Sequence, residues 1–461
     1  MSTLHEAVDR HARERPTKTA LVDVVSGERI TYEALASRTR SIAAWLAKNG
    51  VGVGDRVVVV GESAPWVFEM LLACSRRGAI LAPVNPRLPK PELDGLLALA
   101  EPRLVLTARP APSGTEPEVP DEAARELVLI FTSGSTGKPK GALLMHANLL
   151  ANARSTARAW QLTDDDVAIA DAPLFHTGGL NVLATPLLVL GGTVVVTPRF
   201  DPATSLAAMV RERATVAFGV PQMLERLAAI GAPGAAPTVR LWLVGGAPCP
   251  ARVAEAFGER LVVGFGMTEC GPNCFRPVTS PARTDNVGLP TFDLEAKIAD
   301  DGELLLRGPH VFAGYFRDPE ATRAALTDGG WLHTGDVFAA SDEGWRVIGR
   351  KKEMFISGGE NVYPAEIEAV LAAHPSVIAS AVVGAPDETW GEAGVAFVVA
   401  DDVEPETLRA FVRSRLAAFK VPREVRLVDE LPRTPSGKVD RARLAATCAT
   451  RAGRGQGGAS R

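Results

Sequence analysis

The sequence predicts an α/β protein built on doubly wound sheets, and three observations favour that class. Apolar β-branched runs typical of buried strands recur along the first half of the chain, at residues 57–60, 80–84, 104–107, 127–132, 193–196, 215–218 and 240–244. Helix-like stretches separate most of these runs, for example residues 64–77, 148–160 and 203–213. Strands and helices that alternate at this spacing are typical of parallel sheets covered by helices.

Two changes in the pattern of helix-like and strand-like segments along the rest of the chain predict its domain organisation. Residues 285–349 hold short strand-like runs between glycine-containing turns, which predicts a smaller β-rich subdomain. Residues 351–447 mix helix-like and strand-like stretches and predict a small α+β domain. We therefore expect a large N-terminal domain over residues 1–350 that includes the β-rich subdomain, a C-terminal domain over 351–447, and a disordered Gly/Ser/Arg-rich tail over 448–461.

Composition and charge exclude several classes of protein. Hydrophobic residues make up 46% and charged residues 23% of the 461 residues, which is ordinary for a globular protein and excludes a disordered or fibrous chain. The net charge of -4 gives no reason to expect a nucleic-acid or anionic-lipid partner. The longest apolar stretch, 182–197, is short for a membrane span and contains Pro186, Gly191 and Gly192, so we expect a helix followed by a strand there.

The cysteines are scattered along the chain. They are Cys74, Cys249, Cys270, Cys274 and Cys448. Their spacing matches neither a CxxC pair nor the framework of a disulfide-rich protein. We interpret them as reduced thiols and expect a cytoplasmic protein.

The sharpest motif is rich in glycine, hydroxyl and lysine side chains, Phe131-Thr-Ser-Gly-Ser-Thr-Gly-Lys-Pro-Lys-Gly141. It follows a predicted strand and precedes a predicted helix. Glycines let backbone N–H groups approach an anion, while hydroxyls and lysines add donors and positive charge, so the segment suits a phosphate. It is not a Walker A loop, because Pro139 follows Lys138. A flexible Gly/Ser loop is the alternative. The candidate phosphate-binding residues are Thr132, Ser133, Gly134, Ser135, Thr136, Gly137, Lys138 and Lys140.

Further motifs follow this loop in order along the chain. They are Phe265-Gly-Met-Thr-Glu269, Trp331-Leu-His-Thr-Gly-Asp336, Gly349-Arg-Lys-Lys-Glu-Met-Phe-Ile-Ser-Gly-Gly-Glu-Asn-Val-Tyr-Pro364 and Pro435-Ser-Gly-Lys438. Together with the loop they resemble the signature motifs of the acyl-adenylate-forming superfamily, which contains acyl-CoA synthetases, stand-alone adenylation domains and beetle luciferases. The resemblance covers most of the chain. It implies a mobile C-terminal domain that turns about a hinge at Lys352.

The resemblance also implies a role for each motif in activating a carboxylate with ATP. Charge repulsion opposes the attack of a carboxylate on the α-phosphorus, so the site must neutralise charge and align the reactants. Glu269 would hold Mg²⁺, and Thr268 would donate to the α-phosphate. Asp336 would accept from the ribose hydroxyls, and Arg350 would donate to ribose or phosphate oxygens. Lys438 would reach the acyl carboxylate and the leaving bridge oxygen. The other candidate nucleotide-binding residues are Gly246, Ala247, Pro248, Gly266 and Met267.

A second set of residues is assigned by the resemblance to the thiol step. His176 would orient the acid and gate the entry of the thiol, with a structural histidine as the alternative. The pair Gly358–Gly359 suits a narrow pantetheine tunnel, because it has no side chains to block one. Trp390 would stack on a CoA adenine, although plain packing explains it equally well. Lys420 and Arg423 would face CoA phosphates, with solvated side chains as the alternative.

The predicted acid pocket offers no charged partner for a second ionised group. It should be lined by residues near His176, Val220, Gly245–Ala247 and Gly264–Met267, of which His176 alone is ionisable. In the superfamily, amino-acid-activating domains place an aspartate in the segment matching 175–180, and malonate-activating relatives place an arginine just before the second motif, where this chain has glycine. Neither residue is present, and an unpaired buried charge is costly. We therefore expect an apolar monocarboxylic acid, fatty or aryl.

The leading interpretation is an AMP-forming acyl-CoA synthetase that uses ATP, Mg²⁺, a carboxylic acid and CoA. The alternative is a stand-alone adenylation enzyme that passes the acyl group to a carrier-protein phosphopantetheine or to another nucleophile, such as an amine. A catalytically silent relative that acts as an interaction module is disfavoured by Glu269, Asp336 and Lys438. Neither nucleic acid nor an integral membrane is expected as a partner, and the chain is expected to be a monomer or a homodimer.

Overall fold

A computed structural model describes residues 3–112, 124–133, 139–278, 286–433 and 439–452. The chain divides into two compact units. The larger unit comprises Met1–Lys297, Leu305–His333 and Asp342–Gly344. The smaller unit comprises Ile298–Leu304, Thr334–Ser341 and Trp345–Arg461.

Helices and strands alternate from the start of the larger unit. In chain order they are α1 (Leu4–Glu14), β1 (Thr19–Asp23), β2 (Arg29–Thr31), α2 (Tyr32–Lys48), β3 (Arg56–Val60), α3 (Pro65–Arg77), β4 (Ile80–Val84), α4 (Lys90–Ala100), β5 (Leu104–Leu106), β6 (Glu126–Ser133), β7 (Pro139–Met145) and α5 (His146–Trp160).

The alternation continues with shorter elements. They are β8 (Val167–Ala170), α6 (Thr177–Asn181), α7 (Ala184–Leu190), β9 (Thr193–Val196), α8 (Pro202–Arg211), β10 (Val216–Gly219), α9 (Pro221–Ala229), α10 (Ala232–Ala235), β11 (Leu241–Val244), α11 (Ala251–Phe257), β12 (Leu261–Val263), β13 (Phe275–Arg276), β14 (Asn286–Pro290), β15 (Glu295–Ile298), β16 (Glu303–Arg307), β17 (Gly314–Tyr315) and α12 (Pro319–Ala325).

The last part of the chain is richer in antiparallel strands. Its elements are β18 (Leu332–Ala339), β19 (Trp345–Arg350), β20 (Phe355–Ser357), β21 (Glu360–Val362), α13 (Pro364–Ala372), β22 (Val377–Asp387), β23 (Gly391–Ala400), α14 (Pro405–Arg413), β24 (Glu424–Leu427) and α15 (Arg441–Ala452).

A seven-stranded sheet of the larger unit has the order β12-β11-β10-β8-β9-β1-β2. All neighbours in it are parallel except β1 and β2 at the edge, which are antiparallel. Its strands are apolar runs such as Val194 to Val196, each 1% exposed or less, because helices cover the sheet. Trp242 of β11 is fully buried and packs against Phe257 of α11, with ring centroids 4.9 Å apart. The predicted α/β class with doubly wound sheets is confirmed.

A six-stranded sheet of the larger unit has the order β17-β7-β6-β4-β3-β5. Strands β6, β4, β3 and β5 are parallel neighbours, whereas β7 runs antiparallel to β6. The prediction that the phosphate loop precedes a helix is therefore wrong. Ser133 pairs with Pro139, so the loop joins the two strands of a hairpin, and α5 begins only at His146. The pairing of Lys140 with Thr132 draws the chain after the loop back into the sheet.

The apolar stretch 182–197 folds as predicted, into helix α7 followed by strand β9. Gly191 ends the helix with φ +96°, a left-handed conformation that favours glycine. Within the described ranges, no helix is long and apolar enough to cross a membrane.

The smaller unit is built on a sheet of order β21-β20-β23-β22, with β24 added in parallel beside β23. Helices α13 and α14 pack on one face through Ile367, Leu371 and Leu408, all fully buried. Helix α15 contributes Leu444 and Cys448 to a second cluster. The predicted disordered tail therefore begins too early, because Cys448 is 7% exposed and the helix continues to Ala452.

Two buried histidines lie beside helix α5. His146 is 3% exposed, and its Nδ1 accepts from the backbone N–H of Leu4 at 3.1 Å. His310 is 1% exposed, and its Nε2 lies 2.9 Å from Ser155 Oγ. Ser155 Oγ donates its hydrogen to the Phe292 carbonyl at 2.7 Å, so it accepts from Nε2–H of His310. Burial lowers the pKa of both histidines to about 4.

These histidines make the protein less stable in mild acid. The unfolded chain protonates each imidazole near its ordinary pKa of 6.5 and the folded chain near 4, so stability falls as the pH falls through this window. Asp171 acts in the opposite direction, because burial raises its pKa to about 6. Each shift is worth about 3 kcal/mol, so these three groups together lower the free energy of unfolding by about 3 kcal/mol between pH 7 and 4.

Urea unfolding between pH 7 and 4 measures this loss of stability. His310→Asn should make the loss smaller, and Asp171→Asn should make it larger. Equal losses in all three proteins would contradict the assignment.

Candidate active site

The carboxyl edge of the seven-stranded sheet gathers the residues predicted to line the acid pocket and some of those predicted to bind nucleotide. Strands β8, β10, β11 and β12 are parallel, so their C-terminal ends meet at one edge, which is where ligands bind in open α/β sheets. The segments that follow these strands are 171–176, Val220, 245–248 and 264–269. Residues from four distant parts of the sequence are thereby brought together.

Glycines let these segments approach one another closely. A Cβ on Gly245 would lie 3.2 Å from the carbonyl oxygen of Gly264. The N–H of Gly264 donates to the Val244 carbonyl at 2.8 Å. Gly246 has φ +82°, and a Cβ there would lie 3.6 Å from Val220. Gly246 and the next two residues, Ala247 and Pro248, are exposed, so this turn presents its backbone toward solvent.

Phe218 on β10 lies between two of these segments. A Cβ on Gly178 would lie 3.2 Å from its ring, and a Cβ on Gly245 would lie 3.6 Å from it. The ring lines a small recess together with Asp171 and Gly178. No motif pointed to Phe218 or Asp171, because both are single side chains at strand ends. The predicted pocket is therefore incomplete without them.

Asp171 is a buried carboxylate that directly follows β8. It is 4% exposed, and its Oδ1 accepts from Thr197 Oγ1 at 2.8 Å. This bond ties it to the end of β9. His176, half-buried, is the N-cap residue of α6, and its ring centroid lies 4.9 Å from that of Phe175.

The phosphate hairpin and the second motif meet at Tyr315. Strand β17 pairs with β7, which places Tyr315 opposite Ala142. The phenol hydroxyl of Tyr315 donates to Glu269 Oε1 at 2.8 Å, and Lys140 Nζ lies 4.9 Å from the centre of the same ring. Burial and the Glu269 carboxylate raise the pKa of Tyr315, so the phenol stays protonated and able to donate. One side chain thus organises a cation and a carboxylate that are 129 residues apart in sequence.

Glu269 stands in a short 3-10 turn, residues 268–270, and is 7% exposed. Its backbone carbonyl accepts from the N–H of Phe312 at 2.8 Å, which fixes the turn. Thr268 and Met267, half-buried, precede it. The residues searched contain no group of three or more His, Cys, Asp or Glu side chains that could hold a metal ion. A single carboxylate nevertheless fits Mg²⁺ that arrives with phosphates, since this ion is commonly held by one or two carboxylates, phosphate oxygens and waters.

Part of the predicted phosphate loop lies outside the described residues, namely Gly134, Ser135, Thr136, Gly137 and Lys138. The described ends of the loop are ordered by the hairpin. Thr132 Oγ1 donates to the Lys140 carbonyl at 3.5 Å, and Ser133 pairs with Pro139. The hairpin therefore holds the two ends of the loop together.

The smaller unit brings Asp336 and Arg350 together. They face each other across the antiparallel pair β18–β19, and Arg350 Nε lies 2.7 Å from Asp336 Oδ1. Asp336 is 2% exposed, whereas the side chain of Arg350 is 42% exposed. The backbone N–H of Asp336 donates to Thr334 Oγ1 at 3.1 Å. The buried Asp336 carboxylate and the partly exposed Arg350 guanidinium thus form an ion pair.

The turn at Gly358–Gly359 is exposed, with φ +61° and +87°. A Cβ on Gly358 would lie 2.6 Å from the ring of Trp390, which is itself 49% exposed. Lys420 pairs with Glu366 at 2.7 Å and Arg423 pairs with Asp387 at 2.9 Å, so both cations already have carboxylate partners in this structure. Lys352, at the predicted hinge, is exposed. Lys438 lies outside the described residues.

Comparisons with known proteins decide the family. The sequence model described as AMP-binding enzyme matches residues 8–126 and 107–316, and that described as AMP-binding enzyme C-terminal domain matches residues 366–438. The chain belongs to the AMP-binding enzyme family. The predicted resemblance to acyl-adenylate-forming enzymes is thereby confirmed.

Relatives of this AMP-binding enzyme match it over nearly the whole chain. A feruloyl-CoA synthase from Amycolatopsis sp is 38% identical over 93% of this chain and 96% of its own. ATP-bound MatB from Rhodopseudomonas palustris has a TM-score of 0.88 at 31% identity and covers 97% of this chain and 98% of its own. The o-succinylbenzoate CoA synthetase from Bacillus subtilis, in complex with the acyl-adenylate intermediate OSB-AMP, has a TM-score of 0.84 at 28% identity, with coverage of 95% and 97%.

Proposed function

We propose that the protein is an AMP-forming acid–thiol ligase. It activates an aryl monocarboxylic acid with ATP to an acyl-adenylate and passes the acyl group to the thiol of CoA, with AMP and pyrophosphate as the other products. The observation that carries the proposal is the meeting of Lys140 and Glu269 at Tyr315. A cation and a carboxylate that contact the same tyrosine side chain are two kinds of group that a magnesium-bound triphosphate requires. The names of the relatives support an aryl acid as substrate and CoA as acceptor.

Residues of the larger unit neutralise the triphosphate. The loop from Thr132 to Lys140 supplies backbone N–H groups, hydroxyls and positive charge to the phosphates. Thr268 donates to the α-phosphate, and Glu269 provides an oxygen ligand for the Mg²⁺ that accompanies ATP. That ion offsets phosphate charge when bound. The exposed backbone of Gly246–Pro248 and that of Gly266–Met267 bind the base and sugar side of the nucleotide.

We also assign roles to three residues of the smaller unit. The buried carboxylate of Asp336 accepts from the ribose hydroxyls, and the Arg350 guanidinium beside it donates to ribose or phosphate oxygens. Lys438 supplies positive charge where the leaving pyrophosphate develops negative charge. We propose residues 1–350 as the N-terminal domain and 351–447 as the C-terminal domain. Asp336 and Arg350 then belong to the N-terminal domain, although both lie in the smaller compact unit.

The acid is proposed to be aryl because an aromatic side chain lies among the segments of its predicted pocket. The Phe218 ring lies 3.2 Å from where a Cβ on Gly178 would stand and 3.6 Å from where one on Gly245 would stand. An aromatic side chain favours contact with another ring. His176 orients the carboxylate. Asp171 does not bind a cationic acid in this proposal, because its carboxylate already accepts from Thr197.

CoA is the proposed acceptor. The exposed turn at Gly358–Gly359 and the exposed Trp390 ring beside it suit pantetheine and an adenine, respectively. A carrier protein would present the same pantetheine thiol and is the second candidate. We expect the enzyme to act in the cytoplasm, as a monomer or homodimer, and its five cysteines are free thiols.

Mass spectrometry of reaction mixtures tests the proposal. The enzyme is incubated with ATP, Mg²⁺ and a panel of aryl, fatty and dicarboxylic acids, each with and without CoA. An aryl-CoA product that needs both ATP and CoA supports the proposal. A fatty acyl-CoA product would overturn the acid assignment. An acyl-adenylate that accumulates in the presence of CoA would point to a carrier protein or another nucleophile.

Lys438→Ala should separate the two half-reactions. Adenylate formation from the acid should fall by about 100-fold, because one positive charge at the leaving oxygens is lost. Conversion of supplied acyl-adenylate and CoA to thioester should remain within about twofold of the unchanged enzyme, as the phosphate chemistry is already complete. Single-turnover assays of each step measure the two rates. Equal losses in both steps would contradict the assignment.

Tyr315→Phe should slow adenylate formation by about tenfold, because Glu269 loses a hydrogen bond to a charged group while the ring beside Lys140 remains. Tyr315→Leu should be slower still, since the ring is also removed. The matched control is Tyr32→Phe, which removes a hydroxyl that donates to the Gly192 carbonyl at 2.7 Å. That control should lower the free energy of unfolding and leave the rate unchanged. An unchanged rate for Tyr315→Phe would rule out its positioning role.

A further inference from the structure

Cys270 and Cys274 lie side by side directly after Glu269. Their Sγ atoms are 3.0 Å apart, and both residues are 0% exposed. The Cys274 thiol also lies 3.2 Å from the Gly271 carbonyl oxygen. The spacing of these two cysteines matches neither a CxxC pair nor a disulfide framework, so the sequence alone did not indicate their contact. The 3-10 turn and the left-handed bend at Gly271, φ +82°, bring the two sulfurs into contact.

The dithiol is part of the same hairpin as the second motif. The N–H of Cys274 donates to the Phe265 carbonyl at 2.9 Å, and the N–H of Met267 donates to the Gly271 carbonyl at 3.1 Å. Cys270 closes the 3-10 turn that contains Glu269. Cys270 therefore belongs to the same turn as Thr268 and Glu269.

We propose that Cys270 and Cys274 form a redox modification site at which a hydroperoxide produces an intrachain disulfide that displaces the Glu269 turn. One thiolate attacks an oxygen of hydrogen peroxide, the S–O bond forms and the O–O bond breaks. The cysteine becomes a sulfenic acid, and the departing hydroxide leaves as water after proton transfer. The second sulfur then attacks the sulfenic sulfur, the S–S bond forms, the S–O bond breaks, and a second water leaves. The two thiols lose two electrons and two protons in total, and hydrogen peroxide becomes two waters.

The expected consequence is a loss of adenylate formation. A disulfide holds its sulfurs about 2 Å apart, so the pair must approach by about 1 Å. A displacement of that size at a reacting site can cost about 100-fold in rate. Both sulfurs are buried, so oxidation proceeds while the hairpin is briefly open.

Thiol counting and activity together test the proposal. The full-length protein is treated with a small excess of hydrogen peroxide, quenched, denatured and titrated for free thiols. The count should fall from five to three, with the loss of two hydrogens mapped to the peptide that contains Cys270 and Cys274. Adenylate formation should fall by at least tenfold and recover fully with dithiothreitol. The thiol count does not depend on which reaction the enzyme catalyses, so it remains decisive even if the proposed function fails.

Three variants make the test specific. Cys270→Ser and Cys274→Ser should each retain adenylate formation after peroxide treatment, provided that the dithiothreitol-treated variant is active. Cys448→Ser, which removes a buried thiol of the smaller unit, should still lose two thiols and its activity. The proposal is overturned if the count stays at five, if the lost thiols map elsewhere, or if the disulfide forms without loss of activity.

Discussion

Glu269→Gln is expected to slow adenylate formation by about 1,000-fold. The substitution keeps the size of the side chain and leaves an oxygen that accepts from Tyr315, so the 3-10 turn should hold its shape. It removes the negative charge that we propose as a ligand for the Mg²⁺ of MgATP, and loss of one preorganised electrostatic group costs about 100- to 1,000-fold. The Mg²⁺ concentration needed for half-maximal rate should rise as well. Pyrophosphate release in a single turnover, measured across Mg²⁺ concentrations, gives both quantities.

The matched control is Glu69→Gln, at a carboxylate that is more buried than Glu269. Glu69 is 1% exposed and lies 3.1 Å from Arg38 and 2.7 Å from Arg109. Its loss should lower the free energy of unfolding, because two guanidinium groups lose a partner, yet leave the rate per folded molecule unchanged. If Glu269→Gln behaves like this control, Glu269 is structural and the metal assignment is wrong.

The sequence predicted the architecture well where the signal was local. Strands β3, β4 and β9 and helix α3 are continuous apolar or periodic runs, and each appears within one residue of its predicted bounds. Burial on both faces leaves such strands no polar alternation, which is why they stand out. The hairpin β6–β7 was missed for the converse reason. Residues 139–145 are preceded by glycines and lysines and directly followed by a helix, so their strand character depends on pairing with β6, a contact that no local pattern reports.

The same distinction separates predicted from unpredicted residues of the candidate site. Glu269 and Asp336 belong to contiguous motifs that resemble a known family. Tyr315 lies 46 residues beyond Glu269, and its role follows from the pairing of β17 with β7. Phe218 and Asp171 come together because β10 and β8 are neighbours in the sheet. The places of these three residues in the candidate site could be identified only from the fold.

Gly266→Ala is expected to abolish adenylate formation and to destabilise the protein. A Cβ on Gly266 would lie 2.2 Å from both the carbonyl carbon and the carbonyl oxygen of Pro272, far inside any normal contact. Both clashing atoms are backbone, and the hairpin that holds them is closed by the Cys274-to-Phe265 hydrogen bond. No change of side-chain rotamer can relieve this clash, because an alanine methyl group has no other position to adopt. The hairpin must therefore open, and Thr268 and Glu269 move away from their positions.

The size of the effect follows from where the clash is relieved. Overpacking within a core typically costs about 1–3 kcal/mol, which thermal unfolding of Gly266→Ala should register. If the hairpin opens by about 1 Å or more, both Thr268 and Glu269 leave their positions, and a rate loss beyond 1,000-fold is about what two displaced groups would cost.

Gly95→Ala is the matched control. Gly95 lies within α4, and a Cβ there meets nothing within 4 Å. That variant should be as stable as the unchanged protein or up to about 1 kcal/mol more stable, because alanine favours a helix. An active and stable Gly266→Ala would mean that the hairpin yields elsewhere and that its shape does not position Glu269.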